Sequence, residues 1–572
     1  MSIKLKARTI SPGYGEGEAL ICTDPLGFNH GVIIETGVIK EHGHQLEGVS
    51  IKDKVLIFPH GHGSTGGSYV VYQLARAGTG PRAVINLNTE NIIAVGAIMG
   101  GLPVVDHLED DPFSRIRNGD WVKVDADNGL VEIVAKGDPG YPAGPAAAVS
   151  RPPSAVRQPS GGLRLTDEEK ALRDGREGEA VATAMNMLIS LGEIYGAEKM
   201  VPVQSAHIAG LSLKSHGLAG MLWAEEMAAK GARVRVPTSG NVIGVDRSRD
   251  LKMPPEWVEP QMRIEKAYEK MGMLGLSTCT PYFCGLAPKF GDIVAWAESS
   301  AVVYVNSILG ARDNREGGPS ALAAALTGRT PYCGLHLDAN RRGDLLIKLK
   351  TKVETFEDYG ALGNYVGRQV GEKIPVFENL GRPPQEILVA FGAALASAGG
   401  VALFHALGLT PEAVTLDAAF GGKKYEILEV GAQEIADGYD HLNSASGREV
   451  DFVALGCPHA TINQIQEIAA RLQGRKISGR VMMWVQTNLA TKALAREAGF
   501  AQTIEAAGAV LTQDLCTVLA VPEALGATVV ATNSPKLAFY GPGANGLGVK
   551  YGSLENCVEA ALTGLWPPVR QG

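Results

Sequence analysis

The chain has 572 residues, of which 45% are hydrophobic and 20% are charged, and it contains 71 glycines. This is the composition of a large globular α/β protein, which excludes the disordered and fibrous classes. A formal net charge of -8 gives no indication of the positively charged surface that would bind nucleic acid or an anionic membrane. Seven cysteines without paired spacing exclude a disulfide framework of the secreted kind, so we expect a reducing, cytoplasmic setting.

Residues 1–136 are predicted to form a small β-rich domain. Strand-like runs occur at 54–58, 82–87 and 103–108, and residues 121–134 have a hairpin pattern. A glycine-rich stretch before a helix-like run contains Ser64. Backbone N–H groups at such a turn bind anions and would lower the cost of an alkoxide on Ser64. A flexible turn that merely favours Ser and Gly fits the same residues.

Residues 137–162 have the Pro, Gly, Ala and Ser composition of a semi-rigid linker, and 163–572 are predicted to be α/β throughout, in several subdomains. A helix is predicted from the capping box of Thr166 and Glu169 through Ile189. The apolar run 387–409 is long enough to cross a bilayer. Its glycines and the lack of flanking basic clusters favour a buried helix and strand instead.

Polar side chains follow most of the strands predicted in the α/β part. If the strands of the last third are parallel, the right-handed crossover rule places their carboxyl ends along one edge, where open α/β sheets bind ligands. The residues at these strand ends are Ser205, His207, Thr238, Asn241, Cys457, Asn488, Cys516, Asn533 and Lys536.

The stretch 277–320 places Cys279 in a Pro-Tyr turn, then an apolar run, then a polar loop with Asn306, Arg312 and Asn314. Three roles compete for Cys279 and its distant candidate partners Cys457 and Cys516. The first is packing as buried thiols, the second is a zinc site and the third is an iron-sulfur cluster. The close cysteine pair that is typical of zinc is absent. A cluster held by three thiolates leaves one iron open as a Lewis acid.

Several motifs together resemble the aconitase X family over nearly the whole chain. CTPY at 279–282, ESSAVVYVNS at 298–307, GARDNREGG at 310–318, LGCPH at 455–459 and TNSPK at 532–536 resemble the family's large domain. GSTGGSY at 63–69 resembles its small swivelling domain.

The resemblance implies an aconitase-like multi-domain α/β large part, a β-rich swivelling domain in front of it, and hydro-lyase activity. It implies that Cys279, Cys457 and Cys516 bind iron or an iron-sulfur cluster, either 2Fe-2S or 4Fe-4S, and that Ser64 is the catalytic serine. The other cysteines match no motif of the family and are interpreted as structural. They are Cys22, Cys284, Cys333 and Cys557.

Two branches of the family differ in substrate. Archaeal members, usually two chains, dehydrate mevalonate 5-phosphate, whereas bacterial members with the small domain fused in front resemble cis-3-hydroxy-L-proline dehydratases. Because this chain is fused, the resemblance implies dehydration of cis-3-hydroxy-L-proline to Δ1-pyrroline-2-carboxylate, with Ser64 as the base. It also implies that no separate small subunit is needed.

Three alternatives stay open: the same chemistry on mevalonate 5-phosphate, a non-catalytic iron-sulfur sensor or binding protein, and a zinc-dependent enzyme. The expected partner is a small hydroxy acid or amino acid, with no nucleic acid and no membrane. The residues expected to contact the substrate are Ser68, Ser205, His207, Thr238, Asn241, Asn306, Arg312, Asn314, Asn533 and Lys536.

Overall fold

A computed structural model describes residues 2–41, 43–138, 140–142 and 162–568, so most of the predicted linker at 137–162 lies outside the described residues. The strands are β1 (Ile3–Lys6), β2 (Arg8–Ser11), β3 (Tyr14–Ile21), β4 (Val32–Ile33), β5 (Val38–Ile39), β6 (Val55–Phe58), β7 (Ala83–Asn86), β8 (Val104–Asp106), β9 (Trp121–Asp125), β10 (Leu130–Val134), β11 (Met200–Pro202), β12 (Ala206–Ile208), β13 (Thr238–Gly240), β14 (Ala295–Trp296), β15 (Arg329–Pro331), β16 (Leu345–Leu349), β17 (Pro375–Glu378), β18 (His405–Ala406), β19 (Glu426–Val430), β20 (Phe452–Leu455), β21 (Met482–Thr487), β22 (Val510–Gln513), β23 (Val529–Thr532) and β24 (Gly548–Tyr551).

The α-helices are α1 (Phe28–Gly31), α2 (Gly67–Ala77), α3 (Asn91–Gly100), α4 (Pro112–Arg115), α5 (Asp167–Arg173), α6 (Glu179–Ile194), α7 (Leu213–Ala229), α8 (Pro255–Lys270), α9 (Ser299–Tyr304), α10 (Gly318–Thr327), α11 (Phe356–Val370), α12 (Gln385–Gly399), α13 (Leu416–Phe420), α14 (Ala432–Leu442), α15 (Ile462–Leu472), α16 (Leu489–Glu497), α17 (Phe500–Ala507), α18 (Pro535–Asn545) and α19 (Leu554–Thr563). A π-helical turn, Val305–Leu309, continues α9. Short 3-10 turns lie at Pro281–Cys284, Gly334–His336, Asp338–Arg341 and Pro522–Leu525.

The first of two compact units comprises Met1–Val203, Ser215–Val236 and Glu316–Gly334. Its main sheet has the order β1-β10-β9-β3-β6-β7-β8-β2. Strands β6 and β7 are buried on both faces, and their side chains alternate between two apolar cores. The predicted β-rich N-terminal part and its hairpin, seen as the antiparallel pair β9 and β10, are confirmed.

The second unit comprises Gln204–Lys214, Pro237–Arg315 and Leu335–Gly572. It contains three sheets with the orders β13-β12-β14, β18-β17-β16-β19 and β22-β21-β20-β23-β24. All strand pairs in the last sheet are parallel, so the condition on which the predicted common edge depends is met. The carboxyl ends of β20, β21, β22 and β23 therefore share one edge. The chain is a mixed α/β protein with several sheets, which confirms the predicted fold class.

The single helix predicted at 166–189 is two helices. The capping box is present, because Thr166 Oγ1 accepts the N–H of Glu169 at 3.2 Å and Glu169 Oε2 accepts the N–H of Thr166 at 2.8 Å. However, α5 ends at Arg173, and Gly175 and Gly178 take φ values of 79° and 100° before α6 begins. A helix cannot continue through left-handed backbone, so the glycines decide the break.

The apolar run 387–409 contains nearly all of α12 and the short strand β18, in agreement with the interpretation as a buried helix and strand. Among the described residues, no helix has both the length and the apolar composition that a bilayer crossing requires.

Candidate active site

Three cysteines from distant parts of the chain converge in the second unit. Cys457 follows β20, Cys516 follows β22, and Cys279 precedes the 3-10 turn at Pro281–Cys284. Cys279 and Cys516 pack in one apolar cluster with Val242 and Leu519. The thiols of Cys457 and Cys516 lie close enough to shift the pKa of each other. The three thiols are thus neighbours in the fold, although up to 237 positions separate Cys279 from Cys516 in the printed numbering.

The protonation of these thiols is set by burial and by a nearby cation. Burial raises the pKa of Cys279, and the Lys536 ammonium acts in the opposite direction. The interaction between the two thiols raises the pKa of Cys457 and lowers that of Cys516. A thiol must lose its proton to bind a metal, so Lys536 favours the ligating form of these side chains.

Lys536 is held by the first turn of α9. Its Nζ forms an ion pair with Glu298 and lies 3.3 Å from Ser299 Oγ and 3.1 Å from Ser300 Oγ. The Glu298 side chain is 2% exposed, and it also caps α9 by accepting the N–H of Ala301 at 2.6 Å. Burial opposes the Glu298 carboxylate, but Lys536 and these hydrogen bonds lower its pKa. The charged pair is therefore a fixed element beside the cysteines.

His459, two residues after Cys457, also contacts this group. Its backbone N–H donates to Cys279 Sγ at 3.2 Å. Its Nε2 donates to the carbonyl of Leu515 at 3.0 Å, so Nδ1 accepts from the Thr278 hydroxyl at 3.0 Å. Burial lowers the pKa of His459 to about 4, which keeps the ring neutral. Both ring nitrogens are thus occupied by protein contacts.

The predicted substrate residues of the sheet β13-β12-β14 are buried together. Ser205 Oγ accepts the Nε1–H of Trp296 at 3.0 Å, and His207 Nδ1 lies 2.8 Å from Ser239 Oγ. Burial lowers the pKa of His207 to about 4. Thr238 is 1% exposed, and it begins β13. Asn241 Oδ1 is buried and has no hydrogen-bond partner among the described residues, so its acceptor is open.

Asn306 and Asn314, the predicted amide residues of the polar loop, form hydrogen bonds within the second unit. The Asn306 side-chain amide donates to the carbonyls of Asp313 and Ala402, and its oxygen accepts from Asp313 N–H and Arg341, which fills its bonding capacity. Asn314 accepts the N–H of Leu335 at 2.6 Å. These amides hold the loop in place, and their contacts with the substrate stay a prediction.

Arg312 and Asn533 lie in different surroundings. Arg312 pairs with Asp338 at 2.8 Å and Glu412 at 3.3 Å, at the amino end of the β14 segment and away from Glu298. Asn533 follows β23 at a half-buried position, three residues before Lys536. Asn488 caps α16 by accepting the N–H of Thr491 at 2.9 Å.

Ser64 lies in the first unit, in the turn before α2. Its Oγ accepts the N–H of Gly66 at 3.4 Å. The turn is anchored by Glu41, whose Oε1 lies 2.7 Å from His62 Nε2 and whose Oε2 accepts the N–H of Gly27 at 3.0 Å. Ser68 is fully buried, and its Oγ donates to the carbonyl of Ile92 at 2.9 Å. The Ser64 hydroxyl, unlike that of Ser68, is half-buried.

A second group with metal-ligand chemistry, Cys22, Asp24 and His44, also lies in the first unit, with its possible ligand atoms within 4.8 Å of one another. His44 Nδ1 accepts the N–H of Leu46 at 3.0 Å, so the neutral ring carries its proton on Nε2, which lies 3.5 Å from Cys22 Sγ. A metal on Nε2 would have to displace that proton while Nδ1 stays occupied. The arrangement therefore fits an N–H···S hydrogen bond better than a metal centre.

Of the other cysteines, Cys333 and Cys557 are buried and Cys284 is partly buried. Two residues beside Cys279, Cys457 and Cys516 were missing from the predicted site, Glu298 and His459. Both lie a few residues after the end of a strand, Glu298 after β14 and His459 after β20, so the rule that sites lie at strand carboxyl ends could have found them.

Four family models match successive parts of the chain. They are the aconitase X swivel domain at 4–133, the first domain at 162–339, the second domain at 343–440 and the third domain at 450–563. The predicted boundaries at 136 and 163 are compatible with these ranges, and they stay a prediction.

Curated proteins match as well. The chain is 34% identical to the cis-3-hydroxy-L-proline dehydratase of Pseudomonas aeruginosa, over 98% of this chain and 97% of that one. It is 41% identical to the phosphomevalonate dehydratase large subunit of Methanocaldococcus jannaschii, over 69% of this chain and all of that one.

The crystal structure of Thermococcus kodakaraensis aconitase X in its holo-form is similar with a TM-score of 0.65 and 39% identity, over 70% of this chain and all of that one. With a swivel domain and all three large-part domains matched in order, the chain belongs to the aconitase X family.

Proposed function

We propose that this protein is a hydro-lyase that dehydrates cis-3-hydroxy-L-proline to Δ1-pyrroline-2-carboxylate, with an iron-sulfur cluster held by Cys279, Cys457 and Cys516. The observation that carries the proposal is the gathering of buried Cys279, buried Cys457 and partly buried Cys516 beside the Lys536–Glu298 pair. A relative that matches along nearly the whole chain, 34% identical, is named for this substrate. The swivel domain matches within the same chain, so the proposal needs no separate small subunit.

The donor set fits an iron-sulfur cluster better than structural zinc. Structural zinc sites are closed by four protein ligands. His459, whose backbone N–H contacts Cys279 Sγ, uses both ring nitrogens for Leu515 and Thr278 and offers no fourth ligand. Three thiolates without a fourth ligand match a cluster with one open iron. When bound, such a cluster supplies a Lewis acid that polarises the substrate hydroxyl.

The residues of the second unit have two roles in this proposal. The Lys536 ammonium favours the thiolate forms of the cysteines and offsets their negative charge. The Glu298 carboxylate and the two serine hydroxyls fix the position of Lys536 Nζ. Because a fixed ion pair does not reorganise during the reaction, the electrostatic field at the cysteines is preorganised.

Ser64 is proposed as the base on the strength of its sequence motif. In cis-3-hydroxy-L-proline the hydroxyl and the carboxylate share a ring face, so the α-hydrogen lies on the face opposite the leaving oxygen. Anti elimination then requires a base across the ring from the group that binds the hydroxyl. The Ser64 alkoxide takes the α-proton, the C3–O bond breaks with loss of hydroxide, and the enamine tautomerises to the pyrroline. The Gly66 N–H, 3.4 Å from Ser64 Oγ, favours the alkoxide.

A second candidate substrate is mevalonate 5-phosphate, since a large-subunit relative 41% identical to this chain is named a phosphomevalonate dehydratase. It would undergo the same elimination. Parallel assays of the purified protein with both compounds separate the two, because only the proline derivative gives a pyrroline.

The test combines composition and turnover. We expect the protein to contain iron and sulfide, to absorb visible light and to convert cis-3-hydroxy-L-proline. Cys457→Ala should lose the colour and the activity, whereas Cys557→Ala, also buried but in a separate core, should keep both. Ser64→Ala should keep the colour and lose activity by about 100-fold or more. An active Ser64→Ala variant would remove the serine base, and a colourless, iron-free active protein would remove the cluster.

A further inference from the structure

Two buried polar side chains beside the three cysteines, those of His459 and Thr278, have no role in the chemistry proposed above. His459 is 4% exposed and Thr278 is fully buried. Their hydrogen bonds run between the three chain segments that carry Cys279, Cys457 and Cys516. The contacts of these two side chains therefore bear on how the three thiols are brought together.

The first link joins the segment of Cys457 to that of Cys516. His459 lies two residues after Cys457, and its Nε2 donates to the carbonyl of Leu515, the residue before Cys516, at 3.0 Å. Because a carbonyl only accepts, Nε2 carries the proton of the neutral ring, and Nδ1 is an acceptor. The ring therefore has one defined tautomer and binds a donor on its other side.

Two further links join the segment of Cys457 to that of Cys279. His459 Nδ1 accepts from the hydroxyl of Thr278, the residue before Cys279, at 3.0 Å. The backbone N–H of His459 donates to Cys279 Sγ at 3.2 Å. The Thr278 oxygen also accepts the N–H of Thr280 at 3.1 Å, so the same hydroxyl fixes the turn that carries the cysteine.

The remaining pair of segments is joined by backbone hydrogen bonds. The Ile243 carbonyl accepts the N–H of Cys516 at 2.9 Å, and the Gly240 carbonyl accepts the N–H of Thr278 at 2.8 Å. Residues 240–243, which begin at the last residue of β13, thus hold two of the cysteine segments side by side. The imidazole adds the third segment to this pair, and the three segments form a closed set of contacts.

Such contacts matter because thiolates do not gather by themselves. Like charges repel one another, and these three lie far apart along the chain. A metal site works only when its ligands are held within about 0.5 Å of the productive geometry. Hydrogen-bonding groups that orient metal ligands typically contribute a factor of about 10 to 100 to the metal affinity.

We propose that His459 is the positioning residue of the three-cysteine site, with Thr278 as its partner. The imidazole fixes the segments of Cys279, Cys457 and Cys516 in the arrangement that binds the metal. His459 is not itself a ligand, since both ring nitrogens bind protein groups. This inference rests on the proposed function in one respect, the assignment of the three cysteines as ligands.

Cobalt(II) is a suitable probe, because its bonds to thiolates absorb light and its binding can be titrated without turnover. The titration uses the full chain after removal of iron with a chelator. We expect saturable binding by the unaltered protein, and Cys457→Ala should lose the thiolate absorption. Cys557→Ala, a buried cysteine in a separate core, should bind cobalt like the unaltered protein.

Thr278→Val and Thr278→Ser are a matched pair, since valine has nearly the shape of threonine without the hydroxyl, whereas serine keeps the hydroxyl. We expect Thr278→Val to weaken cobalt binding about tenfold and Thr278→Ser to stay within about threefold of the unaltered protein. His459→Gln keeps a donor near the position of Nε2 but lacks the Nδ1 acceptor, and it should also weaken binding about tenfold. The two changes combined should weaken binding by less than the product of their separate effects, because both remove the same hydrogen bond.

His405→Gln is the control for the loss of a buried imidazole. His405 is 2% exposed, and its Nε2 donates to the carbonyl of Arg341 at 2.7 Å, as the Nε2 of His459 does to that of Leu515. However, His405 lies in β18, in another sheet. If His459 only supported the fold, the two glutamine variants would bind cobalt alike. We expect His405→Gln to keep the affinity of the unaltered protein.

Unchanged cobalt affinity in Thr278→Val or in folded His459→Gln would overturn the inference, as would equal losses in His459→Gln and His405→Gln. Should His459→Gln fail to fold, as judged by circular dichroism, the comparison of Thr278→Val with Thr278→Ser still decides. If Cys457→Ala kept the thiolate absorption, the ligands of the proposed function would be wrong, and this inference with them. If Cys457→Ala lost it while the His459 and Thr278 variants bound normally, this inference alone would be wrong.

Discussion

Replacement of Lys536 by methionine tests the role of the charged pair beside the cysteines. The Glu298 side chain is 2% exposed and that of Lys536 is 15% exposed, so little water can reach the carboxylate once the ammonium is gone. Removal of one partner from a buried ion pair costs about 3 to 5 kcal/mol, because the other charge stays desolvated. We expect Lys536→Met to lose this much of the free energy of unfolding, compared with at most about 1 kcal/mol for an exposed pair.

Two further variants separate charge from packing. Lys536→Met combined with Glu298→Gln leaves no buried charge, so most of the lost stability should return. Lys492→Met is the matched control, since Lys492 is a buried lysine paired with Asp250 at 2.7 Å, but Asp250 is 39% exposed and can be hydrated. Its loss should therefore destabilise the protein less than the loss of Lys536.

The assay is urea unfolding followed by circular dichroism, with iron content measured on the same samples. Since Lys536 favours the thiolate forms of Cys279 and Cys457, Lys536→Met should retain less iron than the Lys492→Met control. A loss of less than about 1 kcal/mol in Lys536→Met would refute the reasoning, because the pair would then behave like a surface salt bridge. Failure of the double variant to recover stability would show that packing, not charge, dominates.

Two more outcomes are expected. Burial opposes the charged form of Glu41, but His62 and the Gly27 N–H lower the pKa of this carboxyl below the ordinary 4.5. The carboxylate therefore stabilises the fold above that pH, and this stabilisation is lost as the pH falls through the lowered pKa. Glu41→Gln should lower the free energy of unfolding by about 1 to 3 kcal/mol at neutral pH and reduce its dependence on pH in the acid range, measured by urea unfolding over a pH series. If the unaltered protein and the variant lost stability in parallel as the pH falls, the result would contradict this. Gly456→Ala should cost about 2 kcal/mol or more and reduce iron retention, because φ is 85° and a Cβ would lie 2.2 Å from a backbone oxygen. Gly474→Ala is the control, because φ is 71° there as well but no atom lies within 4 Å of the added Cβ. It should lower the free energy of unfolding by about 1 kcal/mol and keep the iron. Equal losses of stability in the two variants would show that backbone strain, and not the close contact, causes the effect.

Much of the architecture was predictable because it depends on local patterns. Alternation, turn residues and apolar runs predicted the hairpin of β9 and β10 and the four strands β20 to β23, whose parallel direction was a condition that the structure meets. The break between α5 and α6 was missed although Gly175 and Gly178 are visible in the sequence, since their effect depends on whether the backbone takes positive φ there.

The order of motifs along the chain already indicated the family, and the strand-end rule placed Cys457 and Cys516 on one edge of a sheet. Only the tertiary structure decided which charged groups form ion pairs. Lys536 pairs with Glu298, and Arg312 pairs with Glu412. The physical reason is that strand direction and side-chain periodicity follow from local backbone preferences. The partner of a buried charge depends instead on which distant segments pack together, and a residue's identity alone does not contain that information.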